Sequence, residues 1–292
     1  MQVIIPKLSG FCPGVRNAEK KLLRENKKIN PGRIYAYGNI INNSNYIEYL
    51  SRQNIQTLES VDTLAQGSYV AIRTHGINKQ EEERLQNIFK LIDLTCINVK
   101  RVQLSILNHA ERGYFIVITG KKNHPEIKGL ISYARYFKVI ETKNELEHFL
   151  KTIVSLLKQK SCHKIFIVSQ TTGSKDIFEE TVSGIKKICS PQIEITVSNS
   201  ICPITNRKEE EALRLQQQVD ITFVVGDTLS SNANKLYNIL AKEKKTVYFV
   251  TDLKELRSLN LPLARYKKAL LVSSASTPFF IEDEIRIFLE NV

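Results

Sequence analysis

The chain has 292 residues, 42% of them hydrophobic and 25% charged. That is the balance of an ordinary globular protein, and the length alone suggests about two domains. The net charge of +12 admits nucleic acid, an anionic surface or a phosphorylated small molecule as partner. The lysines are interspersed with helix-forming and acidic residues, however, as in "KKLLRENKK" and "KTIVSLLKQK", which is the pattern of a solvated surface. No apolar run reaches the ~18 residues of a membrane helix, and the first residues lack a basic start and a long apolar core, so no secretory signal is expected. Five cysteines without a C-x-x-C pair point to free thiols in a reducing cytoplasm.

Along the chain, "VII", "IYAY", "YVAI", "LIDL", "YFIVI", "KVI", "IFIV", "IEITV", "ITFVV", "VYFV" and "ALLV" read as short strands, many apolar on both faces. Amphipathic helical patterns such as "NELEHFLKTIVSLLK" and "NRKEEEALRLQQQ" lie between most of them. The alternation predicts an α/β fold with mostly parallel sheets covered by helices. Strand after strand then ends in small or polar residues that open a helix: "GFCPG", "RTHG", "DLTC", "TGKKNHPE", "SQTTGS", "NSICP", "GDTLSSN" and "SSASTP". In parallel α/β sheets, ligands collect at such carboxyl ends, where helix N-termini offer unpaired N–H groups. Some of these Ser and Thr residues are plain helix caps, but together they exceed what capping needs.

Cys12, Cys96 and Cys202 all occupy strand-to-helix turns, each in a different third of the chain. Cys12 stands between Gly10 and Gly14, which permit unusual backbone angles and close approach. A buried, inert cysteine is the ordinary alternative for any one of them. Cys162 precedes a strand and Cys189 ends a helix, and both read as structural or incidental. Structural zinc sites use local cysteine pairs, whereas three separated thiols suit an iron–sulfur cluster with one iron left open. His75 and His124 end apolar strands beside glycine or proline, while His148 and His163 do not. Glu126 follows Pro125 at a helix start, where an acidic residue is also favoured by the helix dipole alone.

Taken together, the motifs resemble the 4-hydroxy-3-methylbut-2-enyl diphosphate reductases, the LytB-type family, over nearly the whole length. "GFCPGV", "DLTC" and "SICPITNR" are similar to its three cluster motifs, and "RTHG" and "NHPEIKG" to its histidine motifs. "SQTT", "SSNANKL" and "SSASTP" are similar to its hydroxyl-bearing substrate loops. The resemblance implies three small α/β domains in a pseudo-threefold arrangement around a central 4Fe-4S cluster, expected at 1–13 with 199–292, at 14–97 and at 98–198. It implies reductive dehydroxylation of an allylic diphosphate to isopentenyl and dimethylallyl diphosphates in the non-mevalonate route. Cys12, Cys96 and Cys202 would ligate the cluster, and Glu126 would deliver protons. Asn42, His75, His124, Thr171, Ser230, Ser231, Asn232 and Ser276 would line the substrate. A ferredoxin or flavodoxin would supply electrons, and no nucleic acid or membrane partner is implied.

Three departures stand out. Asn42 occupies a loop position where the family usually has histidine; its amide can donate to phosphate but carries no charge. Ile97-Asn98 follows Cys96 where proline is usual, and the path from Cys202 to Arg207 is one residue shorter. They leave two alternatives: a cluster-bearing paralogue with another substrate or a sensing role, and a basic nucleic-acid-binding α/β protein. The first predicts a cluster without turnover of this diphosphate; the second predicts no chromophore and salt-sensitive binding.

Overall fold

The computed structural model describes residues 1–29, 31–189, 191–243 and 246–292. Its strands are β1 Gln2–Ile4, β2 Ile34–Tyr37, β3 Ile55–Leu58, β4 Tyr69–Ile72, β5 Lys90–Asp93 and β6 Phe115–Thr119. They continue with β7 Phe137–Ile140, β8 Lys164–Ser169, β9 Glu194–Val197, β10 Ile221–Val225, β11 Val247–Val250 and β12 Lys268–Ser273. The helices are α1 Pro13–Ile29, α2 Ser44–Arg52, α3 Lys79–Ile88, α4 Ile97–Glu111, α5 Pro125–Ile131 and α6 Lys143–Gln159. After them come α7 Lys175–Ile188, α8 Pro203–Gln216, α9 Ser231–Ala241, α10 Leu253–Ser258 and α11 Phe279–Glu290.

The strands form three four-stranded sheets. One runs β1-β12-β10-β11 and another β7-β6-β8-β9; in the remaining one, β2 lies between β3 and β4. All pairings described are parallel, as the unbroken apolar runs of β6, β8 and β10 suggest. By internal contacts the chain divides into two compact units: unit 1 is 1–64, 69–74 and 203–292, and unit 2 is 65–68 and 75–202.

Strand periodicity builds the cores. In unit 2, Phe115 and Val117 of β6 face a cluster with Phe149, Ile153 and Ile185. Their neighbours Ile116 and Ile118 face a separate cluster with Ile106, Ile127 and Leu130. In unit 1, Ala269 and Leu271 of β12 pack with Ile285 and Leu289, whereas Leu270 and Val272 pack with Leu236 and Leu240. Successive side chains point to opposite faces, so a strand buried on both sides must be apolar throughout. Each fully buried Leu, Ile or Phe contributes about 1.5–3 kcal/mol relative to exposure. These cores fix the carboxyl ends of β6, β8, β10 and β12, from which the polar loops spring. Among the described residues, no helix is long and apolar enough to cross a membrane.

The strand β3 has no counterpart among the expected elements. It pairs with β2 through Ile34–Ile55 and the residues that follow, and only Ile55 is buried.

Candidate active site

In unit 2, strand β8 ends at Ser169, and Thr171 two residues later is buried. Its N–H donates to Oε1 of Glu126 at 2.7 Å and its hydroxyl to Oε2 at 2.8 Å. Glu126 is only 1% exposed, although it sits in the first turn of α5. A mere dipole-stabilised acid would face solvent; this one points inward. Burial pushes its carboxyl up to about 7, against the two Thr171 hydrogen bonds that favour the ionised form.

The neighbouring groups are set by the same short helix. His124 caps α5 by accepting from the Glu126 N–H at Nδ1, 3.1 Å away. Accepting there places the proton of the neutral ring on Nε2, making that nitrogen a donor. The His75 ring lies edge-on to His124, with centroids 5.1 Å apart and planes at 81°. Gly120, at φ +157, directly follows β6, and a Cβ there would come within 2.7 Å of Cβ of Gln170. Its bareness lets the β6 and β8 loops meet, and Gln170 Oε1 accepts from the Lys121 N–H at 3.0 Å.

Cys202 belongs to the same arrangement: its N–H donates to the Thr171 carbonyl at 2.7 Å. Its Sγ accepts from Nδ2 of Asn98 at 3.7 Å. Asn98, one of the departures noted above, thereby has a definite job, while Ile97 before it is exposed. Cys96 directly precedes α4, and its turn is shaped by Asp93, whose Oδ1 accepts from the Thr95 N–H at 2.9 Å. Asp93 and Glu82 both pair with Lys100 of α4, at 3.1 and 2.6 Å.

Unit 1 holds a different set. Ser230 caps α9 and exchanges a hydrogen bond with Ser276 at 3.0 Å. The chain of hydroxyls runs on from Ser276 to Ser274 at 3.1 Å and from Ser274 to Thr277 at 3.0 Å. Ser231 and Asn232 are the first two residues of α9, half-buried, with backbone N–H groups that an α-helix leaves unpaired. Asn42 is half-buried in the loop between β2 and α2. That loop is tied to the α9 loop by Asp227, whose Oδ2 accepts from the N–H and hydroxyl of Ser44 at 2.9 and 2.8 Å. Sequence reasoning missed Asp227, because an Asp after a strand reads as an ordinary turn residue.

Cys12 directly precedes α1 and is half-buried. Gly10, at φ +68, meets only the Thr277 carbonyl at 3.6 Å where a Cβ would stand, so its backbone angle is what requires glycine. Gly14 lies within α1. The turn is staked to α8 in two ways. Glu211 accepts from the N–H groups of Lys7 and Leu8 at 3.1 and 3.2 Å. Nζ of Lys208 donates to the carbonyls of Gly10 at 2.7 Å and Ser273 at 3.0 Å. Burial brings the Lys208 ammonium down to about 8; the Cys12 sulfur and Glu282 oppose that, Arg16 adds to it, and Glu211 opposes it.

None of the five cysteines is in a disulfide. Cys162 is buried, and Cys189 caps the end of α7; burial pushes both thiols up. His148 and His163 are exposed. Among the described residues, no group of three or more His, Cys, Asp or Glu side chains forms a ready-made metal site.

Comparison with known proteins places these features in a wider set. Residues 3–290 match the family model described as LytB protein. A 4-hydroxy-3-methylbut-2-enyl diphosphate reductase of Clostridium perfringens strain 13 is 32% identical over 287 residues, covering 97% of this chain and 96% of that one. One of the same name from Aquifex aeolicus is 30% identical over 293 residues, covering 100% and 97%. The solved structure of an (E)-4-hydroxy-3-methyl-but-2-enyl diphosphate reductase, described as the terminal enzyme of the non-mevalonate pathway, superposes with a TM-score of 0.75 at 30% identity over 100% of both chains. A Plasmodium falciparum reductase gives a TM-score of 0.83 at 26% identity, covering 98% of this chain and 87% of its own.

Proposed function

Since the chain belongs to the LytB family, we propose that it reduces 4-hydroxy-3-methylbut-2-enyl diphosphate to isopentenyl and dimethylallyl diphosphates, releasing water. The observation that carries this reading beyond kinship is Glu126: a buried carboxyl, held up to about 7 and gripped by Thr171. Removing an allylic hydroxyl consumes two electrons and two protons, and hydroxide leaves poorly unless it is protonated. A carboxyl with that affinity holds a proton at neutral pH and can still release it. The Thr171 hydroxyl both donates and accepts, so it can hand a proton on while keeping its bond to Glu126. His124, with its proton on Nε2, and His75 beside it complete the polar lining in unit 2. Asn42, Ser230, Ser231, Asn232 and Ser276 are assigned to the diphosphate, which needs several donors and is favoured at a helix N-terminus.

The cofactor in this reading is a 4Fe-4S cluster held by Cys12, Cys96 and Cys202. The donor set suits it. All three are thiols that directly precede α1, α4 and α8, where helix dipoles favour anionic sulfur. Such a cluster supplies electrons one at a time and a Lewis-acidic iron. The division into three domains at 1–13 with 199–292, 14–97 and 98–198 belongs to the same proposal and is supported by the three sheets. So do a cytoplasmic setting and a ferredoxin or flavodoxin as donor.

The test is anaerobic purification, iron analysis and an assay with the allylic diphosphate. Replacing Cys12, Cys96 or Cys202 singly by Ser is expected to strip iron, whereas Cys162→Ser and Cys189→Ser keep it. Full iron in Cys96→Ser would sink the ligand assignment. A cluster with no turnover would favour the paralogue reading instead.

A further inference from the structure

Lys208 lies on α8 in a run, "NRKEEE", that reads as a solvated helix face, yet it is only 2% exposed. Burying an ammonium is costly unless it is well paired. Here its two hydrogen bonds go to the neutral carbonyls of Gly10 and Ser273. A neutral amide donor would serve those carbonyls at lower desolvation cost. The charge therefore calls for a separate explanation.

Its position supplies one. Gly10 lies two residues before Cys12, and Ser273 ends β12 just before the Ser274–Thr277 hydroxyl chain. The same stretch is pinned from other sides: the Ser273 N–H donates to Oγ of Ser9 at 2.8 Å, and the Ser9 hydroxyl bonds Glu282. Residues 7–10 are thus fixed to α8, β12 and α11, with the buried cation bonded to the Gly10 carbonyl. Cys12 and Glu282 are the leading charges that act on that cation.

We infer that Lys208 is a positioning residue of the reductase. Its ammonium locks the Cys12 turn to the Ser273 loop and sets a standing positive charge behind the Cys12 sulfur, which favours electron uptake by a cluster bound there. The inference rests on the reading of Cys12 as a cluster ligand. Reduction potentials of iron–sulfur clusters respond to nearby charge and hydrogen bonding, and a buried charge is little screened by salt. Lys208 neither gains nor loses a proton in this role. The electron comes from an external one-electron donor, a small iron–sulfur or flavin protein, and passes to the allylic diphosphate.

Redox titration of anaerobic protein, followed by electron paramagnetic resonance at matched iron content, tests this with two variants. Lys208→Gln keeps a donor and removes the charge; Lys208→Arg keeps the charge. At the parent's midpoint potential, where half of its clusters are reduced, the reduced fraction of Lys208→Gln is expected to fall several-fold. Lys208→Arg is expected to remain near one half. An unchanged midpoint in Lys208→Gln overturns the inference, as does an Arg variant displaced as far as the Gln variant, or loss of iron from both, since each would make the role purely steric. Failure of the underlying reading looks different: the parent would carry no cluster, or Cys12→Ser would keep it whole.

Discussion

Burial drives an ammonium of unit 1 and a carboxyl of unit 2 toward neutrality, with opposite results. In unit 1, Lys208 stops at about 8 and is charged at neutral pH. In unit 2, Glu126 reaches about 7 and is divided between acid and carboxylate there. The two are displaced by similar amounts, and the difference lies in where they start, an ammonium's ordinary value being farther from neutral pH than a carboxyl's. Lys208 is near a sulfur and two carboxylates that oppose its desolvation, whereas Glu126 has only the dipoles of Thr171. Similar desolvation thus yields a standing charge in one unit and a transferable proton in the other. Around them, unit 1 presents hydroxyls and amides that suit binding, and unit 2 presents titratable groups that suit chemistry.

Changes at Glu126 and Thr171 in unit 2 are therefore expected to move the maximal rate and its pH profile, and changes among the hydroxyl and amide residues of unit 1 to move the Michaelis constant. The largest effect is expected from Glu126→Gln, which keeps shape and loses the proton: turnover should drop by ~10²–10⁴-fold at unchanged iron content. A rate close to the parent's, in a single-turnover assay, would remove Glu126 from the mechanism and the contrast with it. The parent's pH profile comes next. In the proposed mechanism the protonated form is the active one, and it is depleted as pH rises through the carboxyl's value of about 7. The maximal rate should therefore fall about tenfold per pH unit well above that value. A profile flat from neutral to alkaline pH would contradict this assignment.

Thr171→Val removes the hydroxyl bond that favours the ionised Glu126, so the descending limb should shift to higher pH. Loss of the relay should also slow turnover about tenfold, the scale of one hydrogen bond to a charged group. An unshifted limb would mean that Thr171 does not govern the carboxyl. The smallest expected effect tests unit 1. A charged histidine bonds phosphate about twice as strongly as a neutral amide, worth about 1 kcal/mol. Asn42→His should lower the Michaelis constant several-fold and leave the maximal rate nearly unchanged, the signature of uniform binding. A higher maximal rate at constant Michaelis constant would place position 42 in the chemical step and blur the division between the units.

The parallel α/β character was legible because strands such as β6 and β10 are buried on both faces and so carry no polar alternation. The strand β3 escaped notice because just one of its four residues is buried, leaving hardly any pattern to read. The loops bearing Cys96, Glu126, Thr171 and Cys202 could be placed by their strand-to-helix setting. The burial of Glu126 could not, since a first-turn acid looks the same whether it points to water or to Thr171. Lys208 and Asn98 were opaque for a related reason. Their roles depend on partners at distant positions, Gly10 and Ser273 for the one and Cys202 for the other, and no local spacing encodes such pairings.

The staking of the Cys12 turn also has a consequence for the order of events during synthesis. Residues 7–10 are held by Lys208, Glu211, Ser273 and, through Ser9, Glu282. Ribosomes add ~5–20 residues per second, so roughly 10–40 s separate the making of Cys12 from that of Lys208 alone. Until α8, β12 and α11 have emerged, the first thiol has no fixed turn to occupy. It passes through that interval among the most oxidation-prone groups of the nascent chain, and its place in the fold is settled late.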